Sequence, residues 1–259
     1  MEFTYSPHGY ESIVRYLDRQ HQLQLGCGDV FGKRQTFDER GLVIKSTLLD
    51  RDSQQTNHKD KIATERYVYD KLGNVIEEAY FGLDGKPSLT KWGDYHRVSK
   101  RYDERGNVIE EAYFGLDGKP SNMEGKFSQK YDERDNLIHK AYFDETGNPI
   151  THSQYGFHRL AQKYGEQDNF LEFAVFDVAG NPTTYKDGYH KFTKKIAENG
   201  RQIEWAYFDV ANNPIIPKDV SYHKLVKKFD EPGSAIEWAY FDVGGNLTKK
   251  YDKDGNLIE

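Results

Sequence analysis

Apolar and polar residues alternate at period two in short runs along most of the chain, and turn residues separate the runs. In YHKFTKKIAENGRQIEWAYFDVANNP the run Tyr189 to Ile196 meets the turn Ala197-Glu198-Asn199-Gly200-Arg201, and a second run extends from Gln202 to Phe208. Aromatic and branched residues at this period predict strands, not helices. The turn YDERGN, Tyr102 to Asn107, fits a three-residue hairpin loop: a type I turn followed by a left-handed position, where Gly106 costs least. Asp103 suits the first position because its carboxylate accepts from the turn backbone. Asp135 and Asp168 occupy the glycine slot in two other copies, and Pro232, at the third turn position, predicts a distorted hairpin.

A second turn follows each AYF tripeptide: DETGNP at Asp144, DVAGNP at Asp177, DVANNP at Asp209 and DVGGNL at Asp242. Proline after the turn removes a ladder donor, so the next segment should be a short edge strand or an extended link. Each unit should therefore hold two good strands and one weak one. Alternation also assigns faces. Ile203, Trp205 and Tyr207 share one face, opposite Glu204, Ala206 and Phe208; in the preceding run His190, Phe192 and Ile196 stand opposite Tyr189, Lys191, Thr193 and Lys195. Opposed Lys and Glu would add about 0.2 to 1 kcal/mol per pair, so ring stacking between units should dominate stability.

The pattern is a repeat. GNVIEEAYFGLDGKPS occurs letter for letter at Gly73 to Ser88 and at Gly106 to Ser121, and AYF ends at Phe81, Phe114, Phe143, Phe208 and Phe241, with AVF ending at Phe176. A second landmark, an aromatic before a charged turn, recurs from Phe37 to Tyr251, with Ile196 in one copy. The expectation is an all-β, elongated tandem array of antiparallel β-hairpin repeats of about 33 residues, forming a twisted open sheet or β-spiral. Residues 37–259 read as one continuous repeat domain and residues 1–36 as a degenerate N-terminal capping repeat, in which Tyr10 to Tyr16 resembles the Tyr-His strand of later units. At the other end, either Glu259 is a boundary within a longer protein or the last strand pairs backward.

Composition narrows the function. Apolar residues make up 36% and aromatic residues 14% of 259 residues, with 19 Tyr and 15 Phe, so the chain should fold around rings. A net charge of -6, with Lys and Arg interleaved among Asp and Glu, leaves no basic footprint for nucleic acid. The single cysteine, Cys27, allows no disulfide within the chain and no cysteine-based zinc site. No secretion signal or membrane span is legible, so the default location is cytoplasmic unless a specialised system exports the protein.

YDERGNVIE at Tyr102, YDERDNLIH at Tyr131 and YDKDGNLIE at Tyr251 resemble YD repeats, the tyrosine-aspartate hairpin units of the bacterial Rhs family and of teneurins. That resemblance implies a long sheet spiralling into a shell around a toxin cargo, or a cell-surface adhesion module. The added GYHK-type segment and the longer unit depart from it. EWAYFDVANN from Glu204 and EWAYFDVGGN from Glu237 are similar to choline- and glucan-binding cell-wall repeats. In that resemblance Trp205 and Tyr207, with Trp238 and Tyr240, would be the ligand-stacking rings.

Other motifs point to structure. His96, His158, His190 and His223 each follow Tyr or Phe and should pack on rings or bond turns, with no metal site implied. GCGDVFGK, Gly26 to Lys33, lacks the following helix that a phosphate loop needs; DRDSQ at Asp50 and DKDGN at Asp252 lack the distal Glu of a calcium loop. No catalytic motif and no cofactor site is legible. The expected function is a non-enzymatic repeat scaffold that binds a protein partner; the alternatives are a carbohydrate- or cell-wall-binding module and a portion of an Rhs-like toxin-enclosing shell.

Overall fold

The computed structural model describes residues 1–5, 11–26, 28–58, 61–91, 95–121, 125–197 and 199–259; Tyr10, Cys27 and Glu198 lie outside them. The described residues form strands joined by turns, with no helix, as the alternation requires. The chain divides into two compact units, Met1–Lys126 and Phe127–Glu259. The first holds β1 (Glu2–Tyr5), β2 (Glu11–Arg15), β3 (Gly32–Phe37), β4 (Val43–Leu49), β5 (Thr64–Tyr69), β6 (Val75–Phe81), β7 (Arg97–Tyr102) and β8 (Val108–Phe114), each antiparallel to the next. The second is built from β9 (Lys126–Tyr131), β10 (Leu137–Phe143), β11 (Arg159–Tyr164), β12 (Phe170–Phe176), β13 (Lys191–Ile196), β14 (Gln202–Phe208), β15 (Lys224–Phe229), β16 (Ala235–Phe241) and β17 (Leu247–Asp252), paired in the same sequential way. Each unit is thus an open antiparallel sheet of hairpins.

Pairing within a hairpin is longer than pairing between hairpins. From Lys191↔Phe208 to Ile196↔Gln202, β13 and β14 stay paired, with a bulge at Lys195/Ile196. Between β12 and β13 only Glu172↔Thr193, Phe173↔Phe192 and Ala174↔Lys191 remain. The bulge is the one that a type I turn plus a left-handed residue imposes. At Asp103 the backbone N–H donates to Asn107 at 2.9 Å, Gly106 donates back to Asp103 at 3.1 Å, and the Asp103 carboxylate accepts from the Arg105 and Asn107 amides. Gly106 has φ 87°, and Asp135 and Asp168 adopt 65° and 57° in the same slot. Asp tolerates this region better than most side chains do.

The hairpin at Pro232 is not distorted as expected. Asp230 still donates to Ser234 at 3.0 Å, and Gly233 to Asp230 at 3.1 Å. Proline lacks only one of the two N–H groups that other copies send to the aspartate, so the Asp230 carboxylate accepts from Gly233 in its place at 2.7 Å and keeps the usual bond from Ser234 at 2.6 Å. Gly233 keeps the left-handed position at φ 105°.

The second turn repeats this geometry, and the segment after it is usually a single-residue bridge, whether it carries proline or, as in Leu49↔Gln55, does not. Phe81↔Pro87, Phe114↔Pro120, Phe143↔Pro149, Phe176↔Pro182 and Phe208↔Pro214 are single-residue bridges. After Asn246 stands Leu247 instead of proline, and the segment becomes the full strand β17. The last residues pair backward on it, through Tyr251↔Leu257 and the Lys250 amide donating to Glu259 at 2.7 Å. At the other end, residues 11–17 take the place of an AYF strand, not of a Tyr-His strand. Leu17 bridges Leu23 across the turn Asp18 to Gln22, as Phe81 bridges Pro87.

The turn aspartates are carboxylates held in charged form. A hydrogen bond from the Thr146 hydroxyl, then the Asn148 amide, holds the Asp144 carboxyl down at about 2. The asparagine four residues on lowers Asp177, Asp209 and Asp242 likewise. A carboxyl depressed by folding contributes stability above its unfolded value, and the contribution fades as pH falls through the folded value. The melting temperature should therefore decline between about pH 4 and about pH 2. An NMR titration of Asp144 should give a midpoint at about 2, and Thr146→Val should move it up toward the ordinary carboxylate value.

Candidate functional site

Two surfaces repeat from hairpin to hairpin. The first is the ring-bearing face. In the second unit, Phe192 of β13 lies parallel to Phe173 of the preceding hairpin at 5.3 Å and 15°, and to Trp205 of its own hairpin at 4.9 Å and 25°. Tyr207 is buried and touches Tyr189, Phe192, Trp205 and Tyr222; Tyr222 continues to Tyr240 at 5.0 Å. Burial pushes the Tyr189 and Tyr207 phenols up. Tyr189 thus joins the face of Phe192, contrary to the alternation. It precedes the first strand residue, Lys191, so strand periodicity does not yet bind it.

His190 leaves that face. Its ring stands edge-on to Phe176 at 5.5 Å, and its Nδ1 lies 3.1 Å from the Thr183 carbonyl. His158 repeats both contacts with Phe143 and Ile150, and His223 repeats the ring contact with Phe208. The backbone explains the recurrence: His190 accepts from Val175 and donates to Phe208, joining successive AYF-type strands. A cation covers Phe176 and Phe208, and the equivalent Phe114 and Phe241, from within the same hairpin: Arg97 on Phe114 at 3.9 Å, Arg159 on Phe176 at 4.2 Å, Lys191 on Phe208 at 5.0 Å and Lys224 on Phe241 at 4.8 Å. Such contacts stabilise by about 0.5–1 kcal/mol each at exposed sites. Opposed charges close the same face in Lys163–Glu172, Lys195–Glu204 and Lys228–Glu237, at 2.7 to 2.9 Å.

Trp205 and Tyr207 sit together, 6.0 Å between ring centres. The seat for a cation beside Trp205 holds the chain's own Lys194, whose ammonium lies 4.4 Å from the indole and 4.9 Å from Phe170. Desolvation, then Lys227, lowers the Lys194 pKa. The sequence signal for this lysine is its place directly opposite Trp205. Trp238 is half-buried and lies opposite Lys227 and Tyr251; the strand before it carries Leu225 where Phe192 stands one repeat earlier. Tyr240 joins Tyr222 and Tyr251 instead. The two tryptophans thus have different surroundings, and the Phe192–Trp205 sandwich is not copied at Trp238. Among the described residues no group of three or more His, Cys, Asp or Glu side chains is arranged to hold a metal ion.

The second surface is the rim of second turns. In five of these turns one aliphatic side chain is about half exposed, Leu83 and Leu116 in the first unit and Val178, Val210 and Val243 in the second, whereas Arg19, Arg51 and Glu145 hold the same position elsewhere. The opposite turns carry charged residues and arginines that reach the next loop, as Arg40 does to the Asp70 carbonyl at 2.6 Å and Arg201 to that of Asp230 at 3.3 Å. Tyrosine before the charged turn also ties repeats together. The Tyr69 and Tyr102 hydroxyls donate to the Val43 and Val75 carbonyls of the preceding hairpin, at 2.7 and 2.8 Å.

No family model matches the chain, and no curated protein does. Solved structures align over most of it at low identity. The chain in "Crystal Structure of TcdB2-TccC3-Cdc42" aligns with 96% of this chain and 13% of its own length, at 13% identity and TM-score 0.40. The Photorhabdus luminescens Tc holotoxin pore aligns with 99% and 15%, at 13% identity and TM-score 0.23. A eukaryotic initiation factor aligns with 100% and 79%, at 11% identity and TM-score 0.30. The chain thus spans about an eighth to a seventh of the two toxin-complex chains. No helix among the described residues is long and apolar enough to cross a membrane.

Proposed function

We propose that the chain is a non-enzymatic repeat scaffold that binds a protein partner along the rim of second turns. The observation that carries this reading is the recurrence of one half-exposed aliphatic residue at the same position of three successive second turns, Val178, Val210 and Val243, in the second unit. Single exposed apolar side chains are ordinary. A row at one fixed repeat position, two strand spacings or about 10 Å apart, matches a partner that reads the array repeat by repeat. The ring face is less suited to this role, because its aromatic rings are engaged with one another and with the chain's own cations.

A photo-crosslinking amino acid at Val210 should give discrete protein adducts in the source cells, and the same group at Glu133 on the charged rim should give none. Equal adducts from both positions, or none from either, would remove this reading. The second reading, a wall segment of an Rhs-like shell, is supported by the Tyr69 and Tyr102 hydroxyls, which lock two hairpins of the first unit each to the one before it. It requires many further repeats of this kind in the same gene, which sequencing the flanking DNA decides.

A further inference from the structure

The first unit contains a cavity of about 410 Å³ on one side of the β2 turn and a better enclosed one of about 320 Å³ over the β5–β6 hairpin. The second is a built site. Its floor is Leu48, which is buried, and its walls include Tyr80 and Tyr95, whose rings meet at 6.1 Å and 61°. Glu65 and Glu78 project from the same face of β5 and β6, because Glu65 pairs with Tyr80 and Tyr67 with Glu78. Thr90 closes the cavity from the loop before β7, held there by its amide donating to the Tyr95 carbonyl at 2.8 Å. Thr90 is 5% exposed, and its hydroxyl is buried without a hydrogen-bond partner. A buried hydroxyl left unpaired at the wall of a polar cavity is rare; it has almost no accessible surface, so a ligand in the cavity would reach it through a change of the Thr90 χ1 rotamer.

The charges in the cavity are already engaged. Lys33 lies 3.9 Å from Glu65, which also accepts from the Tyr67 hydroxyl at 2.9 Å. Burial, then the neighbouring Glu78 carboxylate, pushes the Tyr80 phenol up. Two carboxylates and two ammonium groups, Lys33 and Lys91, line the space, so it carries no net formal charge to attract an ion. What remains is hydrogen-bonding capacity of both signs beside two ring faces. Spare carboxylate lone pairs accept hydroxyls, Thr90 both donates and accepts, and Tyr80 with Tyr95 offers apolar surface to C–H groups. The volume sits at the lower end of the range for small-ligand pockets.

We propose that this cavity binds a neutral polyhydroxylated ligand, a saccharide of one or two rings, with Thr90, Glu65 and Glu78 taking its hydroxyls and Tyr80 and Tyr95 its ring face. The site is independent of Trp205 and Trp238 and of the rim of second turns, so it stands or falls apart from the scaffold reading.

Ligand-observed NMR on the full chain tests it, with glucose, galactose, N-acetylglucosamine, maltose and cellobiose as probes and glycine betaine as a zwitterionic control. At least one saccharide should bind saturably and receive saturation transfer at its ring C–H protons. Thr90→Val, which keeps the shape and removes the unpaired hydroxyl, should weaken that binding about tenfold while leaving the melting temperature unchanged or higher. Glu78→Gln should weaken it as well, and Trp205→Ala should leave it intact. Binding of glycine betaine alone, no binding by any of the five sugars, or binding that survives Thr90→Val and Glu78→Gln would overturn the proposal.

Discussion

Phe192→Ala should lower the unfolding free energy by about 3 kcal/mol, the low end for a phenylalanine truncation because the ring is half-buried. The reason lies in its position. Phe192 is the middle residue of the three-pair ladder that joins β12 to β13, directly opposite Phe173. Its ring is sandwiched between Phe173 and Trp205, and its edge meets Phe170. Truncation removes both stacked contacts and uncovers part of Trp205, whose indole N–H is buried without a partner. Phe192→Leu should cost less, because it keeps apolar volume and loses only the stacking. Urea unfolding of both variants measures the difference, and a negligible loss in Phe192→Leu would show that ring geometry adds nothing beyond size.

Leu49→Ala should cost about 2–5 kcal/mol. Leu49 is fully buried at the end of β4, and its carbonyl accepts from the Phe31 amide at 2.9 Å. It occupies the slot that Phe81 and Phe114 fill in later hairpins. There the phenylalanine is covered by an arginine, Arg66 from two residues along the paired strand or Arg97 from directly opposite; here Gly32 stands opposite. Gly32 cannot supply a cation, and a Cβ at that position would lie 2.3 Å from the Val14 carbonyl oxygen. Restoring the array's usual residue with Leu49→Phe should therefore also destabilise, by about 1–3 kcal/mol through overpacking. A neutral or stabilising Leu49→Phe would mean that the first hairpins have room for the same ring ladder.

The fold is legible because local rules do not conflict along this chain. Period-two runs, Asp at the head of most turns and Gly, Asn or Asp at most left-handed positions all specify hairpins, and the segment after the second turn is usually a bridge, with or without proline. Two departures share one cause. Counting back in twos sets Tyr189 opposite Phe192, and alternation alone matches Tyr10 to Tyr16 with the Tyr-His strand. Alternation assigns faces only inside a strand and cannot tell the first strand of a hairpin from the second; the bridge Leu17↔Leu23 can. Pro232 fails to distort its turn because the absent N–H matters only if no other amide can replace it, and Gly233 does.

The candidate site is less legible. The rings are visible, and the pairing of Lys194 with Trp205 emerges once the register is known. The cavity beside Thr90 is not visible in the sequence, since it gathers residues from β3, β5, β6 and the loop before β7 that share no motif. The half-exposed rim of Leu83, Leu116, Val178, Val210 and Val243 is written in the sequence as the residue two places after AYF or AVF, where only the copy ending at Phe143 has a charged residue, Glu145, and its exposure emerges only with the turn geometry.

The central physical claim is that stacked rings, more than surface ion pairs, bind one hairpin to the next. A double-mutant cycle on Phe173 and Phe192, each changed to Leu, measures it most directly. The account predicts a coupling of about 0.5–1.5 kcal/mol that persists in 1 M salt. Strictly additive losses, or a coupling that salt abolishes, would contradict it.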